Sequence, residues 1–242
     1  MTTTTSIDIN PALVEVFGSD FFYVKPNGKP VTSLSASANE MIYYRKTIIE
    51  ESTETYPLNL ELWDNWFPFA WVAFQRLSGS AQVRSFATIG TGPGVDAIGA
   101  LHAFNNLETL VLTDIDEKVV PVAKRNVERY VGVVSFVALV GSLCRPLREH
   151  DIKVDLIYEN LPNIPDADDV VAGYGKASRY KAGSFEVNDE RAKEYLLELH
   201  LAFLIEAKES LNQKGSVICS IGGRVPYHIL RSTIESAGYQ FQ

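Results

Sequence analysis

Three glycines at alternate positions, Gly90, Gly92 and Gly94, follow a short apolar run in the stretch ATIGTGPGVD. Glycine lets the chain turn tightly and lets backbone N–H groups approach a ligand closely. A dinucleotide-binding loop would read G-x-G-x-x-G, but the third glycine position of that pattern is Val95 here. The Gly-Lys-Ser/Thr ending of a phosphate-binding loop is missing as well. The spacing therefore favours a nucleoside with an amino-acid tail as ligand, and an ordinary tight turn is the alternative.

Two aspartates end the next apolar run, ETLVLTDID, about 20 residues further along the chain. A carboxylate at this distance from a glycine loop is placed to accept hydrogen bonds from both hydroxyl groups of a ribose. We assign that role to Asp114, and we expect Asp116 to cap the helix that follows.

The stretch LIYENLPNIP, residues 156–165, ends a third apolar run with two asparagines and two prolines. A simple turn requires only one such residue, so this density indicates a site. Side-chain amides offer donors and acceptors on a backbone that proline stiffens. We expect Asn160 and Asn163, with Pro162 between them, to hold a small polar group. The alternative is that the asparagines only shape a turn.

Two later segments add candidate binding residues. Tyr174 and Tyr180 lie in a loop rich in glycine and tyrosine, where aromatic rings would attract a cation. Arg224 follows two glycines and is placed to bind a carboxylate through two hydrogen bonds. The alternatives are that the tyrosines only anchor the loop and that the arginine only faces solvent.

Strand and helix patterns alternate from about residue 83 onward. Strands are expected at 84–90, 108–116, 133–139, 154–160 and 215–222, with a further strand beginning at YQFQ. Helices are expected between them, the longest over 188–211. Such alternation of apolar strands with helices predicts an α/β fold with a doubly wound, Rossmann-like, mostly parallel sheet.

Residues 1–80 differ from this pattern, and we predict a helical, aromatic-rich extension or lid ahead of a catalytic domain over residues 81–242. Helices are predicted over 35–52 and over 60–79, the second interrupted at Pro68. Its aromatic residues, among them Trp71 and Phe74, recur at helical spacing. This face either packs on the main domain or covers a pocket.

Composition narrows the possible partners and locations. The 242 residues carry a net charge of −8 with scattered Lys and Arg, which argues against nucleic acid as a partner. No apolar run spans a bilayer, and the first residues do not resemble a signal peptide, so the cytoplasm is expected. The two cysteines and four histidines form no metal-binding spacing, so no metal is expected. The oligomeric state is left open.

The chain from about residue 84 to 242 resembles the class I S-adenosylmethionine (SAM) dependent methyltransferases. The similar stretches are TIGTGPG, VLTDID, AKRNV, VALVGSLCRPL, VDLIYENLPNIP and the segment from LNQKGSVICSIGGRVPYHIL to AGYQF. Within this superfamily it looks most like the branch that methylates glutamine side chains or exocyclic amines, in which the fourth strand ends in Asn-Pro-Pro-Tyr. Asn160 and Pro162 match that motif, whereas Leu161 and Asn163 replace its first proline and its tyrosine.

The resemblance implies SAM as cofactor. It places Gly90, Gly92 and Gly94 beside the methionine portion, Asp114 on the ribose and Ile115 against the adenine. Ser142 and Leu143 stand where the family has an acid followed by a hydrophobic residue at the adenine. The family also has an acidic residue two positions before the first glycine, where this chain has Thr88.

Three functions are compatible with these motifs. The first is methyl transfer from SAM to a small polar, amine- or amino-acid-like acceptor, oriented by Asn160, Asn163, Tyr174 or Tyr180. The second is ring closure of SAM itself to azetidine-2-carboxylate with release of methylthioadenosine, because the chain is similar in general build to cyclases of this fold. The third is a non-catalytic SAM-binding module.

Overall fold

A computed structural model describes residues 40–43, 47–50, 55, 67–78, 82–161, 164–165, 179–180, 187, 189–221 and 225–241. Five parallel strands form the main sheet in the order β5-β4-β3-β6-β9. They are β3 Ser85–Ile89, β4 Thr109–Asp114, β5 Ser135–Val140, β6 Val154–Glu159 and β9 Leu211–Cys219. Two short pairs lie outside it: β1 Glu40–Tyr43 with β2 Thr47–Glu50, and β7 Ile164–Pro165 with β8 Arg179–Tyr180.

Helices cover both faces of the sheet. They are α1 Phe67–Ser78, α2 Val95–Ala103, α3 Val119–Glu128, α4 Arg145–Glu149, α5 Glu190–Glu194, α6 Glu198–Ala207 and α7 Tyr227–Ser236. Alternate strand residues point to opposite faces. Phe86 and Tyr158 belong to one core cluster with α1, α2 and α3, and Ala87 and Ile157 belong to a second with α4, α6 and α7. The predicted doubly wound α/β sheet is therefore confirmed.

The sheet reverses its direction of growth between β3 and β6. The chain first adds β4 and β5 on one side of β3, then returns and adds β6 and β9 on the other side. Ile89 at the end of β3 pairs with Glu159 at the end of β6. The loops beginning at Gly90 and Asn160 therefore start side by side and lead to opposite faces. Such a switch point leaves a crevice where ligands of open α/β sheets bind.

The helix predicted over residues 35–52 is wrong, because this region contains the antiparallel pair β1–β2. Its second strand is rich in residues with branched β-carbons, Thr47, Ile48 and Ile49. Such side chains lose freedom in a helix and pack well on a strand. Ile49 is fully buried in the core cluster of α2 and α3, so a tertiary contact also favours the strand.

The long helix predicted over residues 188–211 is interrupted. Leu196 has a φ of +58°, a left-handed conformation that ends α5 before α6 begins. Asp189 caps α5 by accepting hydrogen bonds from the N–H groups of Arg191 and Ala192. The strand predicted at YQFQ is also wrong within the described part, because residues 239–241 pair with no strand there.

Among the aromatic side chains of α1 that the structure describes, Trp71 and Phe74 are buried in the core, as the packing interpretation predicts. Pro68 lies in its first turn, where proline costs no hydrogen bond. Phe74 contacts Phe86 and Tyr158 edge to face, with ring centroids 5.3 and 5.2 Å away. Across the described ranges, none of the helices has the length and apolar character needed to cross a bilayer.

Candidate cofactor and acceptor site

The glycine loop joins β3 to α2 and requires its glycines. Gly90, Gly92 and Gly94 have φ values of +69°, +51° and +86°, which strain any residue with a β-carbon. A β-carbon at Gly94 would also lie 3.0 Å from Val127 Cγ2 on α3. At Gly90 it would lie 3.1 Å from Leu161 Cδ2. The loop is therefore held closely between α3 and the segment that follows β6.

Asp114 connects the glycine loop to the end of β4. Its Oδ2 accepts a hydrogen bond from the Gly92 N–H at 3.1 Å, and its Oδ1 accepts one from the Asp116 N–H at 3.1 Å. Burial raises the pKa of this carboxyl, and the two hydrogen bonds lower it in opposition. Each carboxylate oxygen keeps acceptor capacity. The carboxylate is therefore already fixed in place for a ligand with two neighbouring hydroxyl groups.

Asp116 lies two residues before the N-cap of α3, which is Lys118 and has no side-chain cap, so the predicted capping role is wrong in its strict form. Its Oδ1 accepts a hydrogen bond at 2.8 Å from the N–H of Lys118, at the start of α3. The backbone N–H of Val119 donates to the Asp116 carbonyl at 3.1 Å. The two aspartates of TDID therefore serve different elements.

The predicted adenine residues lie after β4 and β5. Ile115 is 72% exposed, which is unusual for isoleucine, and Val140, which pairs with Asp114 in the sheet, is 51% exposed. Ser142 is partly buried, and the Leu143 side chain is buried in the core cluster of α4 and α6. The exposed apolar surface next to Asp114 is thus provided by Ile115 and Val140, and Leu143 faces the core.

Asn160 lies directly after β6 and across from Gly90. Its carbonyl oxygen would lie 3.9 Å from a β-carbon at Gly90. Tyr180 belongs to β8, and its backbone pairs with that of Pro165, the last residue of the LIYENLPNIP stretch. Pro162, Asn163, Tyr174 and Arg224 lie outside the described residues, so their roles stay predictions.

Sequence reasoning missed a buried acid beneath the glycine loop. Asp96, in the first turn of α2, accepts hydrogen bonds from the hydroxyl of Thr88 and, at 3.3 Å, from that of Thr91. It also accepts one from the Ala97 N–H at 2.9 Å. Burial raises the pKa of Asp96 to about 7. The sequence signal for this buried acid was Thr88, which stands where the resemblance implies an acidic residue. Asp96 brings a carboxyl group to Thr88 from the following helix.

A second buried acid supports the Asn160 segment. Glu159 Oε2 accepts a hydrogen bond from the Leu161 N–H at 2.8 Å, and Oε1 lies 2.8 Å from His200 Nδ1 on α6. Both side chains are fully buried. Burial raises the pKa of the neighbouring Cys219 thiol, and the Glu159 charge raises it further. A glutamate ending an apolar strand was the sequence signal for this cluster.

Metal ligation has no candidate in the described part of the chain. Its His, Cys, Asp and Glu side chains form no group of three or more that would hold a metal ion.

Comparisons with known proteins identify the fold. No protein-family model matches the chain, and no curated protein sequence matches it. A crystal structure of a protein provisionally assigned as a methyltransferase, in complex with SAH, aligns with a TM-score of 0.54 at 9% identity, over 96% of this chain and 56% of its own. A provisionally assigned SAM-dependent methyltransferase from Streptococcus mutans aligns with a TM-score of 0.52 at 12% identity, over 84% and 47%.

The ribosomal protein L11 methylase from Lactobacillus delbrueckii subsp. bulgaricus aligns with a TM-score of 0.45 at 21% identity, over 72% of this chain and 67% of its own. The alignments thus span about half to two thirds of these three solved structures. Together with the strand order and the switch point, the two likenesses with TM-scores of 0.54 and 0.52 show that this chain has the fold of the class I methyltransferases.

Proposed function

We propose that this protein binds SAM between the glycine loop and Asp114 and transfers its methyl group to an amine or amide nitrogen. The proposed acceptor is a small polar, amine- or amino-acid-like molecule held at Asn160. The observation that carries the proposal is the position of these residues: the glycine loop after β3 and Asn160 after β6 lie side by side at the switch point of the sheet.

The described residues suit the parts of this cofactor. Left-handed glycines allow backbone N–H groups to approach the methionine portion, and the fixed carboxylate of Asp114 suits a ribose diol. Ile115 and Val140 offer exposed apolar surface for a flat base. The proposal that SAM binds here is supported further by solved structures of the same fold, one of which is described as a complex with SAH.

The chemical demand on the protein is small, because SAM supplies an activated methyl group on a sulfonium. The acceptor nitrogen would use its lone pair to form a bond to the methyl carbon, the electron pair of the carbon–sulfur bond would stay on sulfur, and the proton of the nitrogen would pass to solvent. Asn160 would accept a hydrogen bond from the acceptor N–H and so orient the lone pair. Alignment of this kind provides most of the rate in such a displacement.

Glu159 would contribute by fixing the segment that carries Asn160. Its carboxylate holds the Leu161 N–H, and His200 holds the carboxylate from behind. A side chain that orients a substrate has to be held within a fraction of an ångström. The buried pair provides that support without contacting the acceptor.

Binding is tested by calorimetry with SAM and with its demethylated product, S-adenosylhomocysteine. We expect the wild-type protein to bind both, and we expect Asp114→Asn to weaken binding about tenfold or more, because the carboxylate that receives the diol and the Gly92 N–H loses its charge. Asp116→Asn is the matched control, because asparagine keeps the side-chain oxygen that accepts the Lys118 N–H. Equal loss in the two variants, or no binding by the wild type, would contradict the proposal.

Turnover separates the three functions. Incubation with SAM and a panel of amines and amino acids should produce S-adenosylhomocysteine only when an acceptor is present. Methylthioadenosine formed from SAM alone together with azetidine-2-carboxylate would identify ring closure, which no described feature favours at present. Binding without either product across small molecules, peptides and RNA would leave a non-catalytic module.

A further inference from the structure

Asn126 is a fully buried amide on α3, and it pairs with the backbone of the N-terminal hairpin β1–β2. The N–H of Glu50 donates to Asn126 Oδ1 at 2.7 Å, and Asn126 Nδ2 donates to the Glu50 carbonyl at 2.9 Å. The side-chain amide thus makes the two hydrogen bonds that a neighbouring strand would make. It joins residues 76 positions apart in the sequence.

The same amide also reaches the glycine loop. Asn126 Nδ2 donates a hydrogen bond to the carbonyl of Pro93 at 2.9 Å, between Gly92 and Gly94. Its one acceptor oxygen and its nitrogen are therefore all engaged. Asparagine combines two donors and an acceptor on a short side chain, so no smaller or apolar residue satisfies these three backbone groups.

A second contact from the N-terminal region meets the other end of the loop. Trp71 Nε1 on α1 donates to the carbonyl of Val95 at 3.0 Å, at the first residue of α2. Ile49 of the hairpin packs in the same cluster as Val95, Ala123 and Val127. The N-terminal region therefore contacts both flanks of the glycine loop, and Asn126 is the group that bonds to hairpin and loop at once.

Arg125, the neighbour of Asn126, offers an internal comparison. Its guanidinium bonds the Glu50 carboxylate at 2.8 and 3.2 Å, and this contact lowers the pKa of Glu50. The pair is partly exposed, and the hydrogen bonds described for the Arg125 side chain go to Glu50 and not to the glycine loop. Exposed ion pairs of this type add little to stability.

We propose that Asn126 is a positioning residue that couples docking of the β1–β2 hairpin to the conformation of the glycine loop, and hence to cofactor binding. The coupling rests on the proposed function, because it requires that the loop binds SAM. Linkage makes the effect reciprocal: a docked hairpin strengthens cofactor binding, and bound cofactor holds the hairpin in place by the same factor. The β1–β2 hairpin then influences the cofactor site through Asn126.

Hydrogen exchange on the unmodified protein provides the first test. S-adenosylhomocysteine at saturation should slow exchange of the Glu50 amide, which donates to Asn126, at least fivefold. Amides of α7, which packs in the other core cluster from the loop and the hairpin, serve as the internal reference. A purely structural role for Asn126 gives no ligand dependence at Glu50, and that result would overturn the proposal.

Substitution provides the second test, read by calorimetry with S-adenosylhomocysteine. Asn126→Asp keeps the acceptor for the Glu50 N–H but loses both donor bonds, so we expect about tenfold weaker binding and loss of the ligand effect on Glu50 exchange. Asn126→Ser is a smaller, uncharged replacement if the aspartate prevents folding. Arg125→Gln should bind within about twofold of wild type.

The outcomes distinguish the two levels of the argument. Wild-type protein that binds S-adenosylhomocysteine, with Asn126 and Arg125 variants alike and Glu50 exchange unchanged, refutes the coupling and leaves the proposed function intact. Wild-type protein that binds neither SAM nor S-adenosylhomocysteine refutes both.

Discussion

Asp96 shows how a single buried side chain can carry a pH dependence at the glycine loop. Its carboxyl is fully buried under the loop, with three hydrogen bonds from Thr88, Thr91 and Ala97 and no cation among these partners. Burial without a positive partner disfavours the ionised form, which is why the pKa is raised to about 7. An ordinary aspartate ionises near pH 4.

We predict that Asp96→Asn removes a pH dependence of stability. Between about pH 4 and 7 the unfolded carboxyl ionises while the folded one stays protonated, so the free energy of unfolding of the wild type falls by about 1.4 kcal/mol per pH unit from this group. The contribution is complete below pH 4 and lost as the pH rises towards 7. Asparagine keeps the acceptor and does not titrate. Urea unfolding from pH 4 to 7 measures the two slopes, and equal slopes would contradict the prediction.

At the scale of elements, the contact between α1 and α2 depends on a glycine. The indole of Trp71 lies directly over Gly99, where a β-carbon would come within 2.1 Å of Nε1. The same Nε1 donates to the carbonyl of Val95. The two helices therefore approach more closely than any other residue at position 99 would allow, and this approach sets where the aromatic face of α1 meets the sheet.

We predict that Gly99→Ala lowers the free energy of unfolding by about 2 kcal/mol or more, because the added methyl displaces a buried indole and breaks its hydrogen bond. Trp71→Phe should also destabilise the protein, by loss of that hydrogen bond. The two changes should not add: phenylalanine leaves room for the alanine, so the double variant should cost less than the sum. Chemical denaturation of all four proteins gives the interaction energy, and strict additivity would show that the indole and Gly99 are not in contact.

At the scale of the whole molecule, the carboxyl ends and the amino ends of the parallel strands have different roles. The carboxyl ends of the strands carry the residues proposed to bind the ligand, Gly90, Asp114 and Asn160. At the amino ends of the strands, Asp155 joins neighbouring strands. Its carboxylate accepts hydrogen bonds from the N–H groups of Arg84 and Ser85, from the Ser85 hydroxyl and from the side-chain amide of Asn212. This one side chain connects β3, β6 and β9 where the strands begin.

We predict that Asp155→Ala lowers the free energy of unfolding by about 2 kcal/mol at pH 7 and leaves the affinity for S-adenosylhomocysteine within about twofold of wild type. Burial acts to raise the pKa of Asp155, but hydrogen bonds from Asn212, Arg84 and Ser85 outweigh it, and the pKa is lowered. The part of this stabilisation that depends on the carboxylate charge is therefore present above about pH 4 and is lost as the pH falls through the folded pKa. Denaturation at pH 7 and pH 3, with calorimetry at pH 7, tests both parts. A large loss of affinity for S-adenosylhomocysteine would show that the amino ends and the carboxyl ends of the strands are coupled.

Local sequence patterns predicted the parts of the site that are local themselves. The strand–glycine–helix unit, the aspartate ending β4 and the asparagine that follows β6 are visible as short motifs. Parallel strands bring their carboxyl ends to the same side of the sheet, so these residues lie near one another. The hairpin β1–β2 was missed because its preference is decided by a distant contact: Ile49 is buried against α3 and Glu50 pairs with Asn126. The break at Leu196 was missed because leucine has a high intrinsic helix propensity, and its local sequence gives no signal to end the helix.

By itself, the sequence determined the doubly wound sheet, the left-handed glycine loop and the placement of Asp114 and Asn160, because periodicity, glycine and strand ends act over a few neighbouring residues. Only the tertiary structure decided that Asp96 supplies a carboxyl to Thr88, that His200 lies behind Glu159, and that Asn126 connects Glu50 to Pro93. These contacts join residues 8, 41, 76 and 33 positions apart. A buried polar group is satisfied by whichever partner the packed chain brings to it, and that partner is not encoded in the residues on either side.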